Sequence, residues 1–319
     1  MIRLEHVYQL AGAIFAAIAL LSVFDGKNPK RFGNAAFWGL VAFSFLAGSK
    51  IGNMANGALA LALVAVGGFR FMGGGGAQST STDQRRASAV RRGNFLFVPA
   101  LLIPITALLG TLLLKNFQFH GAPLLEAKQV TLISLAGGVI LALLLSMIWL
   151  RPSPLAPIQE ARRLVDTIGW AAILPQMLAS LGAVFALAGV GKAVGAVSTQ
   201  FFPLDAPFQA VLAYCAGMAL FTAIMGNAFA AFPVMTAAIG LPLIVTKFGG
   251  DPIIMSAIGM LSGFCGTLTT PMAANFNVVP AALLELKDRD AVIKVQLPTA
   301  VMLFAVNVFL MYFFVFRFH

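Results

Sequence analysis

Residues 264–280 read FCGTLTTPMAANFNVVP and lie inside a run of 33 residues, 252–284, that carries no charged side chain. One helical crossing of a bilayer takes about 20 apolar residues and two crossings with a turn take about 40, so this length suits a broken helix better than either. Gly266, Thr267, Thr269, Thr270, Pro271, Asn275 and Asn277 are poor choices for a lipid-facing helix. Pro271 has no N–H to donate and biases Thr270 away from helical geometry. Backbone freed in this way is tolerated at membrane depth only where protein buries it or a wet cavity receives it. Unwound segments and half-helix ends beside hydroxyl and amide groups are how secondary transporters hold substrates and coupling ions. The plainer alternative is a kinked structural helix whose Thr and Asn side chains bond to neighbouring helices.

The rest of the chain fits a membrane setting. Of 319 residues, 60% are hydrophobic and 10% charged, against about 25% charged in soluble domains. The expected fold class is therefore an all-α polytopic membrane protein. Charge-free runs mark the segments at 7–24, 32–49, 51–69, 93–114, 129–150, 167–191, 206–246, 252–284 and 295–316. The run 206–246 is long enough for two, and the turn dipeptide Gly226-Asn227 divides it into 208–225 and 228–246, giving about ten membrane segments. Two crossings and a re-entrant hairpin both satisfy that count. Segment 7–24 follows a single base, Arg3, with no small-residue cleavage site after it, so it is expected to be a span rather than a signal peptide.

The net charge of +10 comes from loops and span ends, which points to topology and anionic lipid contact rather than nucleic acid. Bases cluster at Lys27, Lys30 and Arg31, at Arg85, Arg86, Arg91 and Arg92, at Arg151, Arg162 and Arg163, and at Lys287, Arg289 and Lys294. The positive-inside bias makes these loops cytoplasmic. Residues 73–92 have linker composition, Gly-rich and then Ser/Arg-rich. The cluster Lys50, Asn53 and Asn56 reads as a short turn outside the membrane, given the cost of burying lysine.

A weak two-fold repeat is visible, with 7–24 as an extra helix, 32–150 as a first half and 167–316 as a second. Leu46-Ala47-Gly48 with Lys50 matches Leu187-Ala188-Gly189 with Lys192, and Gly93-Asn94 with Pro99 matches Gly226-Asn227 with Pro233. Paired halves of this kind are common in transporters.

An anionic small molecule in a membrane needs N–H groups at a half-helix start, a few hydroxyl and amide groups, and shelter from lipid. Two places offer them: Gly226-Asn227, with Asn227 a candidate N-cap, and residues 266–277, where Gly266 admits close backbone approach. Catalytic patterns are missing: no HExxH, GxSxG or GxxxxGK[ST] occurs, and no carboxylate lies deep within a charge-free run. His6, His120 and His319 lie far apart, and Cys215 and Cys265 lack CxxC spacing, so neither a metal centre nor an enzyme is expected. If an ion is coupled on this chain, Na⁺ held by carbonyl, Thr and Asn oxygens is easier to build than a carboxylate proton site.

At GNAFAAFPVM (226–235) and CGTLTTPMAANFNVVPAALLELKD (265–288) the sequence resembles a family of bacterial inner-membrane proteins catalogued as a domain of unknown function. The resemblance covers nearly the whole chain and is most specific over 226–288. It implies 5-oxoproline (pyroglutamate) uptake, as one subunit of a two-component permease whose partner is a shorter membrane protein of a second family. More distantly, the paired polar tips resemble the ion transporter superfamily, whose hairpin tips and broken helices bind a substrate carboxylate and sodium. That likeness implies substrate or ion binding at Gly226, Asn227, Gly266, Thr267, Thr269, Thr270, Pro271, Asn275 and Asn277. The superfamily's Ser-Asn-Thr signature is not found in both halves, so the site is either complete here or shared with the partner. The rival expectation is a non-transporting scaffold or assembly subunit of a carrier complex.

Overall fold

A computed structural model describes residues 1–73, 81–115, 117–119, 122–201 and 204–317. His120, His319 and residues 74–80 of the expected linker lie outside them. The chain divides into two compact units, 1–169 and 170–319.

The first unit contains α1 (Leu4–Val23), α2 (Arg31–Ala47), α3 (Asn53–Gly68), α4 (Thr82–Arg92), α5 (Phe97–Leu109), α6 (Val130–Leu150) and α7 (Ala156–Ile168). Two-residue strands at Gln118–Phe119 and Ala122–Pro123 pair between α5 and α6. Its most extensive helix pairs are α1 with α2 and α5 with α6. The first pair closes over aromatic rings: Phe15 stacks on Trp38 at 5.6 Å and Phe37 meets Trp38 edge-on at 5.0 Å, with Phe37 and Trp38 buried. Linker composition misleads over its second half, because residues 82–92 are helical. Ser81 accepts from the Gln84 N–H and the Gln84 side chain accepts from the Ser81 N–H, a reciprocal cap strong enough to start a helix in a polar sequence. The Lys50 cluster forms the expected turn, with Asn56 Nδ2 donating to the Gly48 and Ile51 carbonyls.

The second unit contains α8 (Leu174–Leu187), α9 (Val190–Phe201), α10 (Pro207–Met225), α11 (Ala228–Met235), α12 (Pro252–Thr267), α13 (Val278–Leu283) and α14 (Ala291–Val315). A π-helical segment, Thr236–Lys247, continues α11. Helix α12 packs on α10 and α14. Tyr214 anchors this core: its ring is buried, and a Cβ on Gly259 would fall 2.6 Å from it. Only glycine leaves room for that ring. Helices α8 and α9 pack on α11 and its π-helical continuation through small residues, a Cβ on Gly182 falling 2.6 Å from Ala230 Cα and one on Gly191 falling 2.8 Å from the Val234 carbonyl. Small faces of this kind let backbones approach where lipid supplies no hydrophobic drive between helices.

This is an all-α membrane architecture. Among the described residues, seven helices are long and apolar enough to cross a bilayer, while α3 and α12 are shorter apolar helices. The expected break in 252–284 is present: the chain leaves the helix after Thr267 and re-enters one at Val278.

Candidate functional site

Both polar tips lie in the second unit. Helix α10 ends at Gly226, whose φ of +73° and ψ of 5° are left-handed, a conformation glycine adopts without a Cβ penalty. Asn227 then starts α11, its Oδ1 accepting from the Phe229 N–H at 2.9 Å. One side chain therefore turns a helix end into a helix start within two residues.

The second tip is built by α12 and the residues after it. Asp251 begins the helix, accepting from the Ile253 and Ile254 N–H groups at 2.7 and 2.9 Å. Its 16 residues rise about 24 Å, short of a hydrocarbon core of about 30 Å. At its end the hydroxyls of Thr267 and Thr269 donate to the Phe264 and Gly266 carbonyls at 2.6 and 2.8 Å. Pro271 disfavours helix at Thr270, and the Thr270 hydroxyl accepts from the Met272 N–H at 3.2 Å. Asn277 closes the break: its Nδ2 donates to the Thr267 carbonyl at 2.8 Å and the Thr270 carbonyl at 2.6 Å. A flipped amide would set an oxygen against both carbonyls, so the network fixes its orientation. Its Oδ1 is buried without a hydrogen-bond partner.

The two tips touch. A Cβ on Gly226 would overlap the Met272 backbone. Beside the contact lies a cavity of about 270 Å³, lined by Gly226, Asn227, Ala228 and Phe229 from the first tip, by Phe264, Thr267, Met272, Asn275 and Phe276 from the second, and by Gln176 and Leu178 of α8. No charged side chain lines it. Its volume falls just below the range of about 300–1,000 Å³ usual for drug-sized ligands, which suits a small molecule.

Of the expected site residues, four line this cavity: Gly226, Asn227, Thr267 and Asn275. Gly266 does not. Its close approach is to the Ala219 carbonyl of α10, which occupies the place of a Cβ. The hydroxyls of Thr269 and Thr270 bond to their own backbone rather than facing the cavity, because a broken helix end must satisfy its freed groups locally. Pro271 is exposed and shapes the break, and Asn277 clasps it from behind.

A chain-wide comparison places these tips in a family context. The family model described as "Protein of unknown function (DUF979)" matches residues 5–316. The chain belongs to this family. No curated protein and no solved structure matches it. The DUF979 match covers both tips.

Sequence reasoning missed several cavity residues of this DUF979 chain. Phe264 meets Phe229 edge-on at 6.1 Å and lies tilted against Phe276 at 6.3 Å, forming an aromatic wall, yet Phe in an apolar helix looks like any lipid-facing residue. Gln176 carried the one usable signal, an amide beside Pro175 within an apolar run. The first unit holds a second unforeseen polar group. Trp38 donates to Asp166 at 2.7 Å, and Arg162 donates to the Leu21 carbonyl at 2.7 Å and pairs with Asp25 at 3.2 Å. Arg162 and Asp166 are buried. Each buried charge has a partner, as low dielectric demands. Elsewhere, Lys294 and the Asp290 N–H hold the exposed Asp288 carboxyl below its ordinary range, an interaction of the loop before α14.

Proposed function

We propose that this DUF979 protein is a subunit of a secondary transporter for a small organic anion, 5-oxoproline by the resemblance described above, in the bacterial inner membrane. In this reading ten segments lie in the membrane, α2, α3 and α12 joining the seven long helices, and the two halves are related by the weak repeat. A shorter membrane protein completes the permease, and anionic lipids surround its basic loops. The observation that carries the reading is the meeting of two interrupted helices at a small cavity with amide and aromatic walls. Such a cavity serves recognition, since amide and N–H groups replace the water around a carboxylate while rings cover its apolar part.

The cavity wall has no cation to offset a carboxylate. The second unit holds two buried oxygens without partners, Asn277 Oδ1 and Thr222 Oγ1, and neutral oxygens suit a hard monovalent cation such as sodium. A sodium ion held by oxygens of this kind would supply positive charge near the substrate. The chain's own residues orient the anion and exclude lipid, and movement of the tips between the two sides would complete alternating access.

Uptake of labelled 5-oxoproline into right-side-out vesicles tests this, with this chain alone, the partner alone or both, each with and without a sodium gradient. Sodium-stimulated uptake with both chains is the expected result. Uptake by this chain alone would make its site complete, and no uptake in any arrangement would overturn the substrate assignment.

A further inference from the structure

The first unit has a cavity of its own. It measures about 410 Å³ and is lined by Lys30, Phe32, Ala36, Val66, Arg70 and Phe71, among others, where α2 begins and α3 ends. Two cations thus share a groove whose walls are otherwise apolar.

The groove is firmly built. Asn34 pairs with the Gly73 backbone in both directions, its Nδ2 donating to the carbonyl at 2.8 Å and its Oδ1 accepting from the N–H at 2.9 Å. Lys30 Nζ donates to the Arg70 carbonyl at 2.7 Å, and the Phe71 carbonyl lies against Gly33 where a Cβ would stand. These contacts pin the end of α3 to the start of α2 and hold Arg70 at a φ of +57°. At the end of a helix that left-handed position usually belongs to glycine. Here the residue that accepts the strain is an arginine that lines the groove, and strain of this kind collects at ligand clamps.

The surrounding charge has one sign. Lys27 and Arg31 flank the groove in sequence, Arg31 sitting 4.8 Å over the Phe32 ring. Asp25, the carboxylate of that loop, is engaged by Arg162. Among the described residues no ion pair holds Lys30, Arg31 or Arg70.

We propose that this groove binds an anionic phospholipid, the phosphate between Lys30 and Arg70 and the start of an acyl chain along Phe32, Ala36 and Val66. Charge complementarity selects an anion, and the apolar walls select one that brings its own hydrocarbon. A free phosphate would leave those walls wet. In a chain with seven membrane-length helices, the anionic surface of the cytoplasmic leaflet is the source of such a ligand. The inference does not depend on the transport reading.

Thermal unfolding of the purified full chain in detergent tests it, with phosphatidylglycerol, phosphatidylcholine or inorganic phosphate added. The expected result is a rise in Tm with phosphatidylglycerol alone. Arg70→Gly should leave the basal Tm equal or higher, because glycine relieves the left-handed strain, while cutting the lipid-induced rise to less than about half. Arg70→Lys should keep most of the rise, as should Arg85→Gln/Arg86→Gln. Lys30→Met, read by native mass spectrometry as bound phosphatidylglycerol per protein, covers the case in which Arg70→Gly does not fold, and lower occupancy is expected. Equal rises in wild type and Arg70→Gly, equal rises with phosphatidylcholine or phosphate, or unchanged occupancy in Lys30→Met would each overturn the proposal.

Discussion

The dipeptide Gly-Asn ends a helix twice in this chain, and the two copies are used differently. Gly93 closes the basic helix α4 at φ +52° and ψ −138° and has nothing within 4 Å of where a Cβ would stand. Gly226 closes α10 in the milder left-handed region, but the Met272 backbone fills the Cβ position. One glycine is needed for its torsion angles, the other for contact. Both are followed by a proline-containing helix that ends in π-helical turns, at Gly110–Leu114 and Thr236–Lys247. Local sequence thus builds similar helix interruptions, and packing alone folds one of them back, α10 against α11, and sets it against a second broken helix.

The sharpest way to break this comparison is to add a methyl group to each glycine. Gly226→Ala must move backbone rather than a flexible side chain, so a loss of about 3 kcal/mol or more is expected, with failure to assemble the cavity. Gly93→Ala meets only torsional strain, about 1–2 kcal/mol. Denaturant or thermal unfolding of the two variants in detergent compares them directly. Equal losses would mean that the tip contact contributes nothing.

The asparagines should separate as clearly. Asn277→Ala leaves the Thr267 and Thr270 carbonyls without their amide donor in a buried setting, a loss of about 2–4 kcal/mol. Asn94 is exposed, and Asn94→Ala should change stability by less than about 0.5 kcal/mol. Protease resistance of the 267–277 segment gives a local readout. If Asn277→Ala leaves it intact, the clasp does not hold the break closed.

How much of this was legible follows from the range of each interaction. Pro271, its threonines and Gly226-Asn227 announce interrupted helices because torsional limits and capping act within a few residues, and both interruptions stand where the sequence places them. That Gly226 touches Met272, or that Gly266 receives a carbonyl of α10, depends on contacts between residues more than 40 apart, which no local pattern encodes. The same holds for Asp25, Arg162, Asp166 and Trp38. At the ends of apolar runs these charges look like flanking residues, and only packing of α1, α2 and α7 makes them a buried network. Residues 82–92 failed for the opposite reason: a local signal, the Ser81–Gln84 cap, was hidden by a composition that suggested a linker.

The smallest expected change in stability is the most informative about function. Asn227 caps α11 and also lines the cavity, and Asn227→Asp divides the two roles. Aspartate is as good an N-cap as asparagine and gains from the helix dipole, so stability should hold within about 0.5 kcal/mol. The same change sets a negative charge a few ångströms from any anion bound in the cavity. At an effective dielectric near 20 that repulsion is about 2 kcal/mol or more, at least a tenfold loss of substrate affinity at neutral pH. Asn94→Asp, at the open tip, should leave uptake unchanged. If Asn227→Asp unfolds at the wild-type temperature and also transports at the wild-type rate, the Gly226-Asn227 tip is a cap and nothing more. The anion-binding reading would then have to move to the Asn275 side of the cavity.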